Sequence, residues 1–236
     1  MKQIIALGGG GFSMEPENPL LDIYILEQAR KKSPKICFIP TASGDSDSYI
    51  SRFYKAFEAY GCHSSHLSLF KPPSQDLESF VLEKDIIFVG GGNTKNLLAL
   101  WREWELDRIL HKAWNKGIVL SGISAGAICW FESGVTDSFG TLRELSSLGF
   151  LGGSCCPHYD GEAERRGTYT SLVKNRKLKG GYAIDDGAAL HFIGDELHTI
   201  VSSRKHAGAY YVSLKNGEAV EDTLPAKYLG SPYHPE

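Results

Sequence analysis

In the stretch Gly122-Ile123-Ser124-Ala125-Gly126 a serine stands between two glycines, after an apolar run and before an apolar segment. Those residue types at that spacing suit acyl transfer. A serine in a sharp strand-to-helix turn is lifted clear of the sheet, beside backbone N–H groups and the positive end of a helix, and the glycines let neighbouring backbones come close. The same five residues also suit a plain structural corner, since small residues are common after strands. A serine hydroxyl needs a base to become a nucleophile, and the base needs an acid to orient it.

Five histidines follow Ser124: His158, His191, His198, His206 and His234. His191 and His198 lie in alternating, strand-like segments, His206 lies in the polar turn "SSRKHAG", and His234 is near the end of the sequence. His158 follows "GGSCCP" at the end of a strand-like run, so a stiff loop would hold it. It reads either as a catalytic base or as a hydrogen-bonded loop histidine. Asp185 and Asp186, in "AIDDGAAL", are the candidate acids. Neighbouring residues on a strand point to opposite sides, so one of the two would face His158, and alternation does not say which. A capped turn is the structural alternative for the pair. Asp160, two residues after His158, is a further carboxylate. The chain order is then serine, histidine, acid. An α/β-hydrolase runs serine, acid, histidine, which here would need Asp160 or Asp186 with His206.

A second glycine-rich turn, in "FVGGGNTKNLL", offers backbone N–H groups of Gly91 and Gly92 which, with that of Ala125, suit an oxyanion. Phosphate binding at a helix N-terminus is the rival use. Neither G-x-x-x-x-G-K-[ST] nor G-x-G-x-x-G occurs. The stretch "GGGGFSMEPENP" fails the same test, because Pro16 and Pro19 delay the helix, and a tight turn is its plain reading.

The elements that must position these groups alternate. "QIIALG", "KICFIP", the weaker "CHSSHLSLF", "KDIIFVGG" and "IVLSG" read as strands. "PLLDIYILEQARKK" and "DSDSYISRFYKAFEAYG" read as helices, and "NTKNLLALWREWELDRILHKAWNKG" as one long or two short ones. Continuous apolar strands separated by helices imply a parallel sheet covered on both faces. Ligands gather at the carboxyl ends of such strands, where the glycine-rich stretches would converge. After Ser124 a short apolar helix is expected. Then come a glycine-rich strand-like run through "LGGSCCPHYD", a helix in "GEAERRGTYTSLVKN", and hairpins turning at Gly194-Asp195 and Asn216-Gly217. The predicted fold class is α/β: a three-layer α/β/α sandwich with a mostly parallel sheet and a C-terminal antiparallel hairpin extension. One domain over residues 1–236 is expected.

Composition narrows the function classes. The chain has 236 residues, 42% hydrophobic and 22% charged, with a formal net charge of −3. That balance suggests neither nucleic acid nor another polyanion as partner. No apolar run approaches a membrane span, and the N-terminus lacks a signal-peptide core, so a cytoplasmic location is expected. The five cysteines form no CxxC pair and read as reduced, mostly buried thiols. The scattered histidines and the lack of H-E-x-x-H point to no metal and no cofactor.

Taken together, "LGGGGFS", "IPTAS", "FVGGGNTKNLL", "GISAGAICWF", "CCPHYD" and "AIDDGAAL", in that order, resemble the peptidase E (α-aspartyl dipeptidase) family of serine peptidases. The resemblance implies a fold related to class I glutamine amidotransferases, with a serine in place of the elbow cysteine. It implies Ser124 as nucleophile, His158 as base and Asp186 as the third member. It also implies oxyanion donors at the Gly91-Gly92 turn and Ala125. An arginine after the histidine would bind an aspartyl side chain, and Arg165 and Arg166 stand in that stretch, where a solvated helix face is the plain reading. Asn93 and Asp160 join them as candidate substrate-binding residues. The expected activity is hydrolysis of short peptides, with a preference for N-terminal Asp as one form of it and a small peptide as the partner. A homodimer is left open. A non-catalytic peptide-binding or sensing protein, an esterase or acyl transferase, and a cyanophycinase-like hydrolase are the alternatives on the same scaffold.

Overall fold

The structure, a computed structural model, describes residues 1–230. In chain order the first half comprises β1 (Gln3–Leu7), α1 (Gly11–Met14), α2 (Leu20–Gln28), β2 (Lys35–Ile39), α3 (Asp47–Glu58), β3 (His63–His66), α4 (Leu77–Leu82), β4 (Ile86–Val89), α5 (Thr94–Glu103), α6 (Leu106–Asn115) and β5 (Val119–Ile123). The second half comprises α7 (Ala125–Ile128), β6 (Phe131–Thr136), β7 (Arg143–Ser146), β8 (Leu151–Cys156), α8 (Arg165–Lys174), β9 (Gly181–Ile184), β10 (Ala188–Ile193), β11 (Glu196–Ser202), β12 (Ala209–Lys215), β13 (Glu218–Leu224) and β14 (Lys227–Tyr228).

Eight strands form the first sheet in the order β14-β11-β10-β1-β5-β4-β2-β3. From β1 through β3 every neighbour pair is parallel. Side chains on β1 alternate between two cores. Ile4 and Ala6 join Trp101, Leu110 and Leu97 on one face, and Ile5 and Leu7 join Phe53, Phe57 and Ile25 on the other. Both faces of these strands are therefore apolar, which is why they read as unbroken hydrophobic runs. On the α3 face Phe12, Phe38, Phe53, Phe57 and Phe88 pack ring on ring, with Phe38 and Phe53 stacked at 4.9 Å. The segment ambiguous between one helix and two is two: Glu105, at φ 52°, breaks it. Helix α4 lies in a stretch for which no element was expected.

The sequence reading misses a second sheet. Six strands, ordered β13-β12-β9-β8-β6-β7, lie across the chain's second half. Phe131 and Cys155 on its inner side join the core that holds Trp101, and Phe131 meets Phe192 of β10 edge-on at 5.8 Å. Val135, Cys156 and Ala183 on its outer side pack with Tyr169, Leu172 and Val173 of α8. The reason for the miss is local. The expected helix after Ser124 lasts four residues, and "FESGVT" then becomes a strand. Gly134 lets β6 approach β8 closely, since a Cβ there would lie 2.6 Å from the Cys155 carbonyl oxygen. The two expected hairpins exist, but β10-β11 extends the first sheet and β12-β13 the second. Between β9 and β10 the chain crosses from one sheet to the other at Asp185-Asp186-Gly187. Among the described residues no helix is long and apolar enough to cross a membrane. His234 and residues 231–236 of the C-terminal stretch lie outside the described residues.

Candidate active site

Strand β5 is buried throughout and ends at Ile123. Ser124 follows with φ 56° and ψ −113°, a backbone state that costs a non-glycine residue about 1–3 kcal/mol unless its surroundings enforce it. They do. The Ser124 N–H donates to the Leu7 carbonyl oxygen at 3.1 Å, and the Ser124 carbonyl oxygen accepts from Ala127 and Ile128 at 2.9 and 3.0 Å. A Cβ on Gly122 would lie 2.3 Å from the Gly126 carbonyl oxygen, and one on Gly126 would lie 2.3 Å from that of Val89. Between Ile118 and Phe131 every residue is buried except Ser124. The turn thus pushes one hydroxyl out of a closed core, which a mere corner does not require.

The Gly90–Asn93 turn borders this serine. A Cβ on Gly91 would lie 3.3 Å from Ser124 Cβ. The N–H groups of Gly90 and Asn93 donate to Ile39 and Ala42 carbonyls. Gly91, expected as an oxyanion donor, already donates to Tyr49 Oη at 3.3 Å, and Tyr49 Oη also bonds Ser13 Oγ at 2.6 Å. That leaves the Gly92 N–H as the donor of the turn without an acceptor among the described residues. The Ala125 N–H opens α7, so it has no acceptor within the helix. Asn93 spends its side chain on structure: Oδ1 caps α5 at the Asn96 N–H, and Nδ2 donates to the Ser138 carbonyl.

His158 sits on the loop after β8 at φ 54°. Its Nδ1 is 2.7 Å from Asp186 Oδ1, with the two side chains 12% and 10% exposed. Burial opposes ionisation of Asp186. The His158 hydrogen bond and charge outweigh it, with Arg204 and Arg165 adding to them, and hold the carboxyl below the usual carboxylate range. An ionised carboxylate only accepts, so Nδ1 carries the proton and Nε2 is left as an acceptor. Asp186 bridges to Gly9, and a Cβ on Gly9 would lie 2.0 Å from its Oδ1. Gly9 is two residues beyond Leu7, the partner of Ser124. The serine and the His158–Asp186 pair therefore share the carboxyl-end rim of β1 and β5. Among the described residues no hydrogen bond joins the Ser124 hydroxyl to the His158 ring, a contact that tightens in many hydrolases only with substrate bound.

The sequence left Asp185 and Asp186 open, and the structure separates them. Asp185 faces away, accepts from the Gly208 N–H at 3.0 Å, and buries Oδ1 without a partner. Burial pushes its carboxyl up from 3.8 to about 6. Asp160, expected as a substrate contact, is exposed and lies beside the acid. Its Oδ1 accepts the Asp186 N–H at 2.7 Å and so braces the acid from behind.

A cleft of about 270 Å³ opens at Ser124, between Gly92 and Asn93 on one side and Asp137, Ser138, Glu162 and Arg165 on the other. Arg165 is 3% exposed, pairs with Glu162 at 2.6 Å and donates to the Val135 carbonyl at 3.0 Å. It is not on a solvated helix face. Arg166 is outside the cleft. It pairs with Glu221 and stacks over Tyr159 and Tyr210 on the outer side of the second sheet. Asp137, Ser138 and Glu162 were not foreseen. Asp137 and Ser138 follow β6, which ends at Thr136 and for which no element was expected, whereas Glu162 was within reach as an acid four residues after His158. A larger depression of about 800 Å³, near Pro72, Asp76 and Trp104, does not include Ser124, so the smaller cleft is the one that a group approaching Ser124 would enter.

The family model of peptidase family S51 matches residues 4–200. The "Uncharacterized peptidase YgaJ" of Bacillus subtilis (strain 168) is 65% identical over 230 residues, which are 98% of this chain and all of that protein. The "Probable alpha-aspartyl dipeptidase" of Drosophila melanogaster is 33% identical over 121 residues, 51% of this chain and 47% of that protein. Among solved structures, a peptidase from an acI-B1 Actinobacterium aligns with a TM-score of 0.71 at 17% identity, covering 96% of this chain and 95% of that one. A putative peptidase E protein from Listeria monocytogenes EGD-e aligns with a TM-score of 0.64 at 20% identity, covering 86% and 98%. The fold is thus that of the peptidase E proteins, and the chain belongs to peptidase family S51 and is a peptidase.

Proposed function

We propose that this peptidase is of the serine type, cleaves short peptides, and uses Ser124, His158 and Asp186 as its triad. The observation that carries the reading is the strained, outward-facing Ser124 on the same rim as a His158–Asp186 pair 2.7 Å long. Ser124 Oγ attacks the scissile carbonyl carbon while His158 Nε2 takes its proton. The carbonyl electron pair moves onto oxygen, where the N–H groups of Gly92 and Ala125 stabilise it, each worth about 3 kcal/mol. Collapse breaks the C–N bond, and His158 returns the proton to the leaving amine. Water, deprotonated by His158, then hydrolyses the acyl-serine. Asp186 holds the Nδ1–H tautomer throughout and offsets the transient imidazolium charge.

Ser124→Ala tests this with a dipeptide panel and ester substrates assayed side by side. Peptide turnover should fall about 10⁴-fold or more with the fold intact by circular dichroism. Equal turnover in the variant removes Ser124 from the chemistry. Ester turnover without peptide turnover in the parent protein would favour an esterase or acyl transferase instead, and peptide binding without turnover a sensing protein.

A further inference from the structure

We infer that Glu162 sets the substrate class, by turning the cleft away from acidic side chains and toward cationic ones. The inference rests on the serine-peptidase reading of the same cleft. An arginine beside a nucleophile recognises a substrate carboxylate only if its N–H fork is free. That of Arg165 is engaged on two of its three nitrogens. Its side chain is buried, its Nε donates to Glu162 Oε2 at 2.6 Å, and its Nη1 donates to the Val135 carbonyl oxygen at 3.0 Å. Glu162 has therefore taken the place that an incoming carboxylate would need.

Charge points the same way. The cleft at Ser124 is lined by two carboxylates, Asp137 and Glu162, against the one guanidinium. Asn93 and Ser138 are neutral and engaged with the protein, Ser138 through Thr136 Oγ1 at 2.7 Å. A neighbouring depression of about 380 Å³ shares Asp137 and Glu162, adds Glu164, and has no basic residue in its wall. Asp137 and Glu162 thus form the partition between the two. Glu162 is 46% exposed despite its ion pair, so a carboxylate oxygen remains open to the cleft. An aspartyl side chain entering here meets like charge and a guanidinium already paired with Glu162, whereas a lysyl or arginyl side chain can cross the partition and reach the second depression.

The test uses the dipeptides Asp-Leu, Leu-Leu and Lys-Leu with the parent protein, Glu162→Gln and Asp137→Asn. The parent protein should favour Lys-Leu over Asp-Leu in kcat/KM by about tenfold or more. Glu162→Gln, which keeps the size of the side chain and frees Arg165 of its counter-charge, should shift that ratio by about tenfold toward Asp-Leu. Asp137→Asn should weaken Lys-Leu without improving Asp-Leu to the same extent. A parent preference for Asp-Leu, or an unchanged ratio in Glu162→Gln, overturns the inference. Binding of the same dipeptides to Ser124→Ala, measured by calorimetry, separates it from the catalytic reading. If the parent turns over no peptide, the serine-peptidase reading fails, and Asp-Leu binding as tightly as Lys-Leu to Ser124→Ala then overturns the specificity claim independently.

Discussion

The two sheets contribute different kinds of chemistry to one cleft. The first sheet supplies backbone: the Ser124 turn, the Gly92 N–H and the Ala125 N–H, fixed by steric contacts such as the 2.3 Å that a Cβ on Gly126 would leave to Val89. The second sheet and its loops supply side chains: Glu162 and Arg165 in the cleft and His158 on the same rim, each held by an ion pair. Asp185 and Asp186 sit at the crossing between the sheets and compress the same contrast into two adjacent residues. One is buried against a backbone N–H, and the other is paired with a histidine. Sterically fixed parts fail by not folding, and electrostatically fixed parts fail by losing charge.

The largest expected effect breaks the side-chain half. Asp186→Asn leaves the size of the residue unchanged but replaces a charged, acceptor-only carboxylate by an amide that can also donate, so the His158 tautomer is no longer selected, and peptide kcat should fall by about 10⁴. Asp185→Asn should leave kcat within about threefold, because its carboxylate does not face His158, a difference of about 0.6 kcal/mol. Steady-state kinetics on both variants decides; a larger loss at Asp185 would reverse the assignment. The backbone half breaks differently. Gly126→Ala forces a methyl group onto the Val89 carbonyl, and should cost about 3 kcal/mol or more in a denaturant titration, with activity lost through the fold. Full stability in that variant would show the turn to be looser than its contacts imply.

The smallest effect sharpens the comparison through pH. The carboxyl of Asp185 is raised from 3.8 to about 6, so its contribution to stability is present below the unfolded value and lost as pH rises through about 6. Asp186 is shifted the other way, so its contribution is present above the unfolded value and lost as pH falls. Asp185→Asn should therefore gain thermal stability relative to the parent protein at pH 8 compared with pH 4.5, by about 1–2 kcal/mol after screening. Asp186→Asn should instead keep a constant difference from the parent protein between these two values, because the stability its carboxylate contributes is lost only as pH falls below about 3.8. Thermal melts of the three proteins at both pH values check this, and an Asp185→Asn curve parallel to that of the parent protein would show that the Asp185 carboxyl does not sense its burial.

Much of this was legible beforehand for particular reasons. Strands β1, β2, β4 and β5 announce themselves because they are apolar on both faces, and G-x-S-x-G announces the turn because close backbone approach admits little besides glycine at its flanks. The Asn216-Gly217 hairpin reads directly, as both residues need positive φ. The second sheet was less legible. "FESGVT" has weak alternation, and its pairing with β8 depends on residues some twenty positions away. Missing that strand also hid Asp137 and Ser138.

The sequence by itself therefore determined a parallel α/β core, the glycine-flanked Ser124 turn and the chain order of serine, histidine and acid, because these are local matters of periodicity, backbone sterics and residue chemistry. The tertiary structure alone decided which of two adjacent aspartates holds His158, that the Gly91 N–H is already taken by Tyr49, and that Arg165 is neutralised by Glu162 while Arg166 points elsewhere. Each of those depends on which groups are brought within about 3 Å of one another by long-range strand pairing, and a hydrogen bond or an ion pair depends on that distance rather than on separation along the chain.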